Sequence, residues 1–193
     1  MLKQLKIAVL FTIATTVLCG IVYPLVVTGA AKLLFRDAAN GSLVRSNDQV
    51  VGSKLIGQPV VSPFYFHPRP SSAGSGYDPL ASGGSNLGPT NHALADRINS
   101  DAAALHAENP GTPIPADLLT TSASGVDPDI SPEAALFQIP RIAKARGISE
   151  SELRALVQTH TVQRQFGFLG EPRVNVLELN LALDAAHPRQ QPK

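Results

Sequence analysis

The run IAVLFTIATTVLCGIVYPLVVTGAA, residues 7–31, decides how the rest of the chain is arranged. No residue in it carries a charge, whereas Lys3 and Lys6 precede it and Lys32 and Arg36 follow it. An α-helix needs about 20 apolar residues to cross the hydrocarbon core of a bilayer. The run therefore predicts one transmembrane anchor with a short tail, residues 1–36, followed by one water-exposed domain, residues 37–193.

Two other interpretations of the N-terminus stay open at this point. A cleaved signal peptide would use residues 28–30 (TGA) as its cleavage site, but its apolar core normally spans only about 7–15 residues. A lipoprotein would be modified at Cys19, yet Leu18 before it is large where a small residue is expected. The length of the apolar run favours the uncleaved anchor.

Three residues of the anchor are candidates for contact with other membrane helices. Gly20 and Gly29 create small faces that let a neighbouring helix approach closely, although small residues are common in such helices in any case. Pro24 is expected to kink or locally loosen the helix, which membrane helices tolerate when neighbours satisfy the freed backbone groups.

The charges flanking the anchor are nearly balanced and give little information about orientation. A short N-terminal tail before an apolar core favours a cytoplasmic N-terminus, and long domains are translocated largely regardless of charge. We therefore expect an extracytoplasmic domain, which in a bacterium means the inner membrane with the domain on its periplasmic or outer face.

The composition of the chain limits the partners of the water-exposed domain. Removing the four anchor bases from the 16 basic residues leaves 12 against 15 acidic ones, a balance of −3. A mildly acidic domain with few clustered bases is a poor candidate for binding nucleic acid, and it would not repel a cation. Cys19 is the only cysteine, so no disulfide can form within the chain.

The periodicity after the anchor predicts an α+β fold with a mixed α/β domain. Proline (16) and glycine (15) are abundant, and residues 71–90 form the longest irregular stretch. Residues 175–186 fit a helix or an alternating strand, and their length favours the helix. The predicted helices cover residues 91–109, 131–147, 149–161 and 175–186, the predicted strands cover 43–45, 49–51 and 114–119, and residues 187–193 form a polar tail.

No motif in the sequence supports catalysis or metal binding by this chain. A Gly-x4-Gly-Lys-Ser/Thr phosphate loop and a Gly-x-Ser-x-Gly elbow are both missing. The five histidines lack the spacing of zinc ligands. Residues 83–85 (GGS) form either a flexible turn or a small anion cradle, and no lysine lies beside them to favour the cradle.

Several blocks of sequence resemble the C subunit of the Kdp potassium-transporting ATPase. Together with the anchor they run through essentially the whole chain. The blocks are NGSLV (40–44), GSKLIGQ (52–58), YFHPRPS (65–71), ASGGSNLGPTN (81–91), TSASGVDPDISP (121–132), QIPRIAKAR (138–146) and VNVLELNLALD (174–184).

The resemblance implies a place in an inner-membrane potassium uptake complex. Its partners would be a channel-like A subunit, an ATP-hydrolysing B subunit of the P-type class and a small F peptide, besides the lipid bilayer. The family's C subunit has one membrane helix and an extracytoplasmic domain. Two roles are attributed to it: a catalytic chaperone that raises the ATP affinity of the B subunit, and an assembly element that caps the outer mouth of the A subunit.

The resemblance also suggests site residues. Ser82, Gly83, Gly84 and Gln138 resemble pieces invoked for nucleotide contact, although an outward-facing domain would be separated from cytoplasmic ATP. The candidate partner-facing residues of the domain are Tyr77, Asp78, Ser82, Asn86, Asn91, Asp127 and Asp129. Their alternative role is turn formation, for which Asp, Asn and Ser are common residues.

Two functional hypotheses follow. The first is a non-catalytic accessory subunit with no cofactor of its own, which meets ATP only through the complex, meets potassium only indirectly and supports assembly and activity of the pump. The second is an independent membrane-anchored periplasmic enzyme or binding protein with a ligand pocket.

Overall fold

A computed structural model describes residues 1–46 and 48–188 of the chain. Its contacts divide the chain into two compact units, Met1–Val51 and Gly52–Lys193, and each is described by itself. Asn47, in the predicted turn between the first two strands, and residues 189–193 of the predicted tail lie outside the described residues. The predicted boundary between anchor and domain, after residue 36, stays a prediction.

The first unit begins with a long apolar helix in three parts: α1 (Leu2–Val17), a π-helix (Leu18–Val22) and α2 (Tyr23–Leu34). Within the described residues, it is the one helix long and apolar enough to cross a membrane. The Tyr23 N–H donates to the Leu18 carbonyl five residues earlier, which widens the helix just before Pro24. Proline removes a backbone donor and crowds the preceding turn. The predicted local loosening at Pro24 is confirmed.

A short helix and two strands follow the long helix, and the second strand runs two residues past the end of the first unit. Helix α3 (Arg36–Ala39) leads into a turn at Asn40 and Gly41, where Gly41 has a φ of 88°. Strands β1 (Leu43–Ser46) and β2 (Gln49–Ser53) then form a two-stranded sheet. The two paired strands predicted over residues 43–45 and 49–51 are confirmed.

The second unit contains four long helices whose starts follow from their capping residues. They are α4 (His92–Glu108), α5 (Pro132–Arg146), α6 (Glu150–Thr159) and α7 (Val176–Ala186). The side chains of Asn91, Ser131, Ser149 and Asn175 each accept a hydrogen bond from a first-turn N–H group. Such caps satisfy donors that the helix itself leaves unpaired. The helix predicted over residues 175–186 is therefore confirmed.

Three very short strands form an antiparallel sheet in the order β3 (Asp129–Ile130), β5 (Arg173–Asn175) and β4 (Thr161–Val162). The strand predicted over residues 114–119 is wrong, because a 3-10 helix (Ala116–Leu118) occupies this position. There the Asp117 carboxylate accepts hydrogen bonds from both the N–H and the hydroxyl of Ser131. This tertiary contact and the prolines at 113 and 115, which lack backbone donors, favour the tighter turn.

The hydrophobic core of the second unit lies among α5, α6, α7 and β5. Helix α5 packs on α6, α6 packs on α7, and α5 and α7 both contact β5. The fully buried side chains in this core include Ile139, Ile142, Leu153, Val174, Leu179 and Leu183. Phe66, from an irregular segment, is buried with them. The fold is therefore α+β, as predicted, with its helices carrying most of the core.

Candidate functional site

Residues 64–67 lie along the core of the second unit without belonging to any strand, with Phe66 fully buried and the other three residues half-buried. Two side-chain amides take the place of strand partners. Asn180 accepts from the Phe66 N–H at 2.8 Å and donates to the Phe66 carbonyl at 2.9 Å. Gln138 accepts from the His67 N–H at 2.7 Å and donates to the His67 carbonyl at 3.1 Å. We call these two contacts the amide clamps.

The Gln138 amide has no hydrogen-bonding capacity left over. Besides clamping His67, it donates to the Ala134 carbonyl at 3.2 Å and accepts from Arg141 Nη2 at 2.8 Å. Its side chain is only 2% exposed. A nucleotide could contact this amide only by displacing these bonds, so the geometry describes a structural role, and nucleotide contact at Gln138 stays a prediction.

Two arginines of α5 hold the same segment from the helix side. Arg141 donates to the Pro63 carbonyl at 2.6 Å and to the Tyr65 carbonyl at 3.0 Å, and pairs with Glu108 at 2.8 Å. The planar guanidinium has five fixed donors, which suits it to bond several acceptors at once. The guanidinium thereby joins the end of α4 to α5 and to residues 63–65.

Arg146 has an almost completely buried side chain. Its Nε donates to the Phe64 carbonyl at 2.7 Å and its Nη2 pairs with Asp184 at 2.7 Å. The guanidinium also stacks over the Tyr65 ring at 4.7 Å, while the Tyr65 hydroxyl donates to Asp184 at 2.8 Å. Buried charges are tolerated when they are paired and hydrogen-bonded, and here the pairing ties α7 to α5.

The predicted nucleotide loop, residues 82–84, lies against residues 122–125. The Ser82 hydroxyl and the Gly83 N–H both donate to the Ser124 carbonyl, at 2.9 and 2.8 Å. Gly125 has a φ of +69°, and a side chain there would come within 2.6 Å of the Gly83 carbonyl oxygen. Because the Gly83 N–H is already bonded, one amide of the predicted anion cradle is occupied.

Ser71 and Tyr77 fasten the start of this long irregular stretch. The Ser71 hydroxyl donates to the Gly125 carbonyl and accepts from the Tyr77 N–H. The Tyr77 hydroxyl donates to the Arg69 carbonyl. Burial raises the pKa of Tyr77 to about 12, with the nearby Arg69 opposing the shift. The phenol therefore stays protonated at neutral pH and acts as a hydrogen-bond donor.

Asp127 and Asp129, both predicted to face partners, are compensated within the chain. Asp127 pairs with Arg69 at 3.1 Å, and Asp129 pairs with Arg173 at 3.0 Å. Asp129 also accepts from Asn175 at 3.1 Å. Burial raises the pKa of Asp129, and its bonds to Asn175 and Arg173 oppose that shift. These carboxylates fix the turn before α5.

The other predicted partner-facing residues of the domain have mixed roles. Asp78 caps the 3-10 helix Pro79–Ala81, and Asn91 caps α4. Both side chains therefore have the local, turn-forming role that was the alternative to partner contact. Ser82 and Asn86 are exposed, and Asn86 has a positive φ of 52°. In the described part of the chain no hydrogen bond joins Gln138 to residues 82–84.

Sequence reasoning missed Asn180, Arg141 and Arg146, and with them the attachment of residues 63–67 to α5 and α7. A polar residue at 180, between leucines at 179 and 181, was the available signal. It also missed an apolar pocket of about 230 Å³, lined in part by Ile56, Val60, Leu177 and Leu181. Its polar lining includes Tyr65 and Asp184, which bond each other.

A second, more polar cavity of about 450 Å³ is lined by residues of α4, including Asp101 and Glu108, and by His67, Arg69 and Tyr77. Burial lowers the pKa of His67, with Arg141 lowering it further. The His67 Nε2 lies 2.9 Å from the Ser62 carbonyl. Within residues 1–46 and 48–188, no three His, Cys, Asp or Glu side chains are grouped so as to hold a metal ion.

Comparison with known proteins matches this chain to one family along nearly its full length. Residues 5–185 match the family described as K+-transporting ATPase, c chain. A potassium-transporting ATPase KdpC subunit of Koribacter versatilis is 56% identical over 193 residues, covering all of both chains. One of Caulobacter vibrioides is 57% identical over 189 residues, covering 97% of this chain and 96% of its own. One of Rhodopseudomonas palustris is 54% identical over 198 residues, covering 96% of this chain and all of its own. The chain therefore belongs to the C-subunit family of the potassium-transporting ATPases.

Proposed function

We propose that this chain is a membrane-anchored accessory subunit of a potassium-transporting ATPase, without catalytic residues of its own. Helix Leu2–Leu34 is the anchor, and the folded unit that follows lies on the extracytoplasmic side. Its partners are the potassium-translocating A subunit, the ATP-hydrolysing B subunit and the small F subunit. Its contribution is contact that supports assembly and activity of the pump.

The observation that carries this proposal is that polar side chains of α5 and α7 are hydrogen-bonded to the backbone of residues 63–67. Gln138 and Asn180 hold the backbone of residues 66 and 67, and Arg141 and Arg146 hold the carbonyls of residues 63–65. A catalytic group must instead reach a substrate atom with its hydrogen-bonding capacity available. These polar side chains are thus committed to holding the backbone of their own unit, which suits a subunit that acts through its surface.

The charge of the chain after residue 36 suggests how it would affect transport. Outside the four anchor bases, the chain carries 12 basic and 15 acidic residues. A mildly acidic body above a cation entrance raises the local potassium concentration through its field, an effect that weakens with salt. A subunit resting on the pore mouth also biases the outward-facing states to the extent that it binds them differently.

Placement of the unit decides between this role and direct nucleotide contact, because ATP is cytoplasmic. Fusions of alkaline phosphatase and of green fluorescent protein to the C-terminus of the full chain test the placement. Active phosphatase and a dark fluorescent protein are expected. The opposite pattern would overturn the extracytoplasmic placement and return Ser82, Gly83, Gly84 and Gln138 to consideration as nucleotide contacts.

Copurification tests the accessory role itself. Detergent extraction of cells that express the whole ATPase is expected to yield this chain together with the larger subunits, and the chain alone is expected to hydrolyse no ATP. A chain that is extracted alone, or that binds and turns over a small molecule without the other subunits, would favour the independent periplasmic protein instead.

A further inference from the structure

The apolar pocket of about 230 Å³ is formed by helix α7 together with residues 56–68, and the proposed function does not use it. On α7, Leu177 and Leu181 are one turn apart, as are Asn180 and Asp184, so all four lie along one stripe of the helix. The other lining residues include Ile56, Val60, Tyr65 and Pro68. A concave site with mostly apolar walls and a few polar groups is the usual form of a small-molecule site.

Hydrogen bonds hold the walls of this pocket in place. The Tyr65 hydroxyl donates to Asp184 at 2.8 Å, which ties residue 65 to α7. The Gly57 N–H donates to the Val126 carbonyl at 2.7 Å, which fixes the chain next to Ile56. Walls that are ordered before a ligand arrives lose less conformational entropy on binding.

The volume of the pocket limits the size of a ligand. Pockets for drug-sized molecules have volumes of about 300–1,000 Å³, whereas an engineered apolar cavity of about 150 Å³ in another protein binds benzene. The 230 Å³ of this pocket lie between these values. It is therefore large enough for one six-membered ring with a small substituent and too small for a drug-sized molecule.

Asn180 provides a hydrogen-bond donor that its own chain leaves unused. Its side chain lines the pocket and is 8% exposed. Its Oδ1 accepts from the Phe66 N–H and its Nδ2 donates to the Phe66 carbonyl, so the orientation of the amide is fixed. A primary amide has two N–H groups, and within the described residues the second one has no acceptor. Because a buried donor without a partner is costly, this group favours a ligand with an acceptor oxygen.

The charges at the pocket favour a neutral ligand. Asp184 is the one charged residue among the described residues that line it. Its carboxylate is already paired with Arg146 at 2.7 Å, so it has little unbalanced charge with which to attract a cation. An anion beside this carboxylate would be repelled, and it would also lose its hydration against apolar walls.

We propose that this pocket binds a small neutral molecule that has a single ring and a carbonyl or hydroxyl oxygen. The ring packs against Leu177 and Leu181, and the oxygen accepts a hydrogen bond from the second N–H of Asn180. No covalent bond forms or breaks. A ligand that binds only the folded chain stabilises it, so occupancy would strengthen the attachment of residues 56–68 to α7. This binding activity goes beyond the accessory role and does not depend on it.

NMR of the full chain in lipid nanodiscs tests the site with three probes. Acetophenone has one ring and a carbonyl oxygen, isopropylbenzene has a similar shape without an acceptor, and benzoate adds a negative charge. Acetophenone is expected to shift the methyl signals of Ile56, Leu177 and Leu181 saturably, through its ring current, and to leave those of Leu94 on α4 unchanged. Benzoate at the same concentration is expected to shift none of them.

The side-chain amide signals of Asn180 test the hydrogen bond directly. Acetophenone is expected to move one of the two Asn180 amide protons downfield, whereas isopropylbenzene is expected to leave both in place even where it enters the pocket. The proposal is overturned if acetophenone shifts no methyl signal of the pocket, if the Asn180 proton does not respond, or if benzoate shifts the pocket signals equally.

A substitution that occupies the pocket provides a second test. Leu181→Trp places a ring system of the chain itself in the pocket and is expected to abolish the acetophenone shifts at Ile56. Leu94→Trp, at a half-buried position of α4 outside the pocket lining, is the matched control and should keep those shifts. Unchanged shifts in a folded Leu181→Trp variant would contradict the site. If this variant does not fold, the three probes on the wild-type chain decide.

The outcome of these experiments is independent of the accessory role. Binding without turnover leaves that role in place, because a subunit can carry a ligand. A chain that copurifies with the ATPase but shows no response to acetophenone contradicts only the ligand site. A chain that responds to acetophenone but never copurifies contradicts only the accessory role.

Discussion

The side-chain amide of Gln138 forms both hydrogen bonds that a neighbouring strand would give to His67. Its Oε1 lies 2.7 Å from the backbone nitrogen of His67, and its Nε2 lies 3.1 Å from the backbone oxygen of His67. Buried peptide groups need such partners, because an unsatisfied group costs as much as a lost hydrogen bond. A proline on either side of residues 64–67 works against ladder pairing, and side chains of α5 and α7 take its place.

Replacing Gln138 by leucine is expected to destabilise the second unit strongly. Leucine has a similar size but cannot form hydrogen bonds, so the backbone N–H and carbonyl of His67 lose these partners. Each unpaired group is expected to lower the free energy of unfolding by about 1–3 kcal/mol. Gln158→Leu, at an exposed position of α6, is the control and should change stability by less than about 0.5 kcal/mol. Thermal unfolding of the detergent-solubilised chain, followed by circular dichroism, measures both. Equal shifts would contradict a structural role for Gln138.

Acid is expected to destabilise the chain through His67. Burial, aided by Arg141, lowers the pKa of this imidazole in the folded state, so the unfolded chain binds the proton first as the pH falls. The associated stability is fully present above the unfolded pKa of about 6.5 and is lost as the pH falls toward the lower folded pKa.

The check on this pH dependence is a comparison of variants. Unfolding midpoints from pH 7.5 to pH 5 should fall less steeply for His67→Gln than for the wild type. His92→Gln, at an exposed position in the first turn of α4, should leave the wild-type slope unchanged. If the unfolding midpoints of all three proteins fall equally with pH, His67 does not contribute to the loss of stability in acid.

Gly125→Ala is expected to displace the loop at residues 82–84. The new Cβ would lie 2.6 Å from the Gly83 oxygen and 2.7 Å from the Ala73 nitrogen, both backbone atoms that cannot simply move aside. Gly111→Ala is matched in backbone conformation, with a φ of +79° and nothing within 4 Å of its Cβ. The free energy of unfolding of Gly111→Ala should fall only by the cost of placing alanine in the left-handed conformation, about 1–2 kcal/mol.

Thermal unfolding is expected to show a larger loss for Gly125→Ala than for Gly111→Ala, and limited proteolysis should cut the first variant faster within residues 71–90. If the two alanine variants behave alike, the close approach of Gly125 to Gly83 has no energetic importance.

The combined change of Gly20 and Gly29 to leucine is expected to weaken assembly without preventing insertion. Apart from its chain neighbours and the backbone of its own helix, a Cβ at either position has nothing of this chain within 4 Å. A steric conflict at either Cβ is therefore expected from another molecule. Small residues at such faces allow the close packing that supports helix association in a bilayer, and a loss of about 1.4 kcal/mol of association would reduce copurification about tenfold. Val26→Leu, on the same helix, is the control. Normal copurification of the glycine variant would remove helix packing at these residues from consideration.

The local order of the chain could be read from the sequence. The apolar run 7–31 forms one long helix because nothing charged interrupts it, and Pro24 widens that helix because it lacks an N–H group. The starts of α5 and α6 follow from Ser131 and Ser149, whose hydroxyls cap the helix. These features depend on residues within one or two turns of each other, and the blocks that resemble the Kdp C subunit were equally visible.

The tertiary structure decided what the polar residues do. Hydrogen bonds between residues 67 and 138, or 66 and 180, join positions far apart in the chain, and no local pattern specifies them. For the same reason Gln138, which resembles a binding residue in the sequence, uses its amide in four internal hydrogen bonds. Residues 114–119, whose pattern predicts a strand, instead contain a 3-10 helix in which Asp117 bonds Ser131. The sequence by itself determined the long apolar helix, the capped helices and the family, because each rests on neighbouring residues. Only the fold decided that the interior is a hydrogen-bonded framework and that Phe166 and Phe168 are left outside it, because burial depends on which distant segments meet.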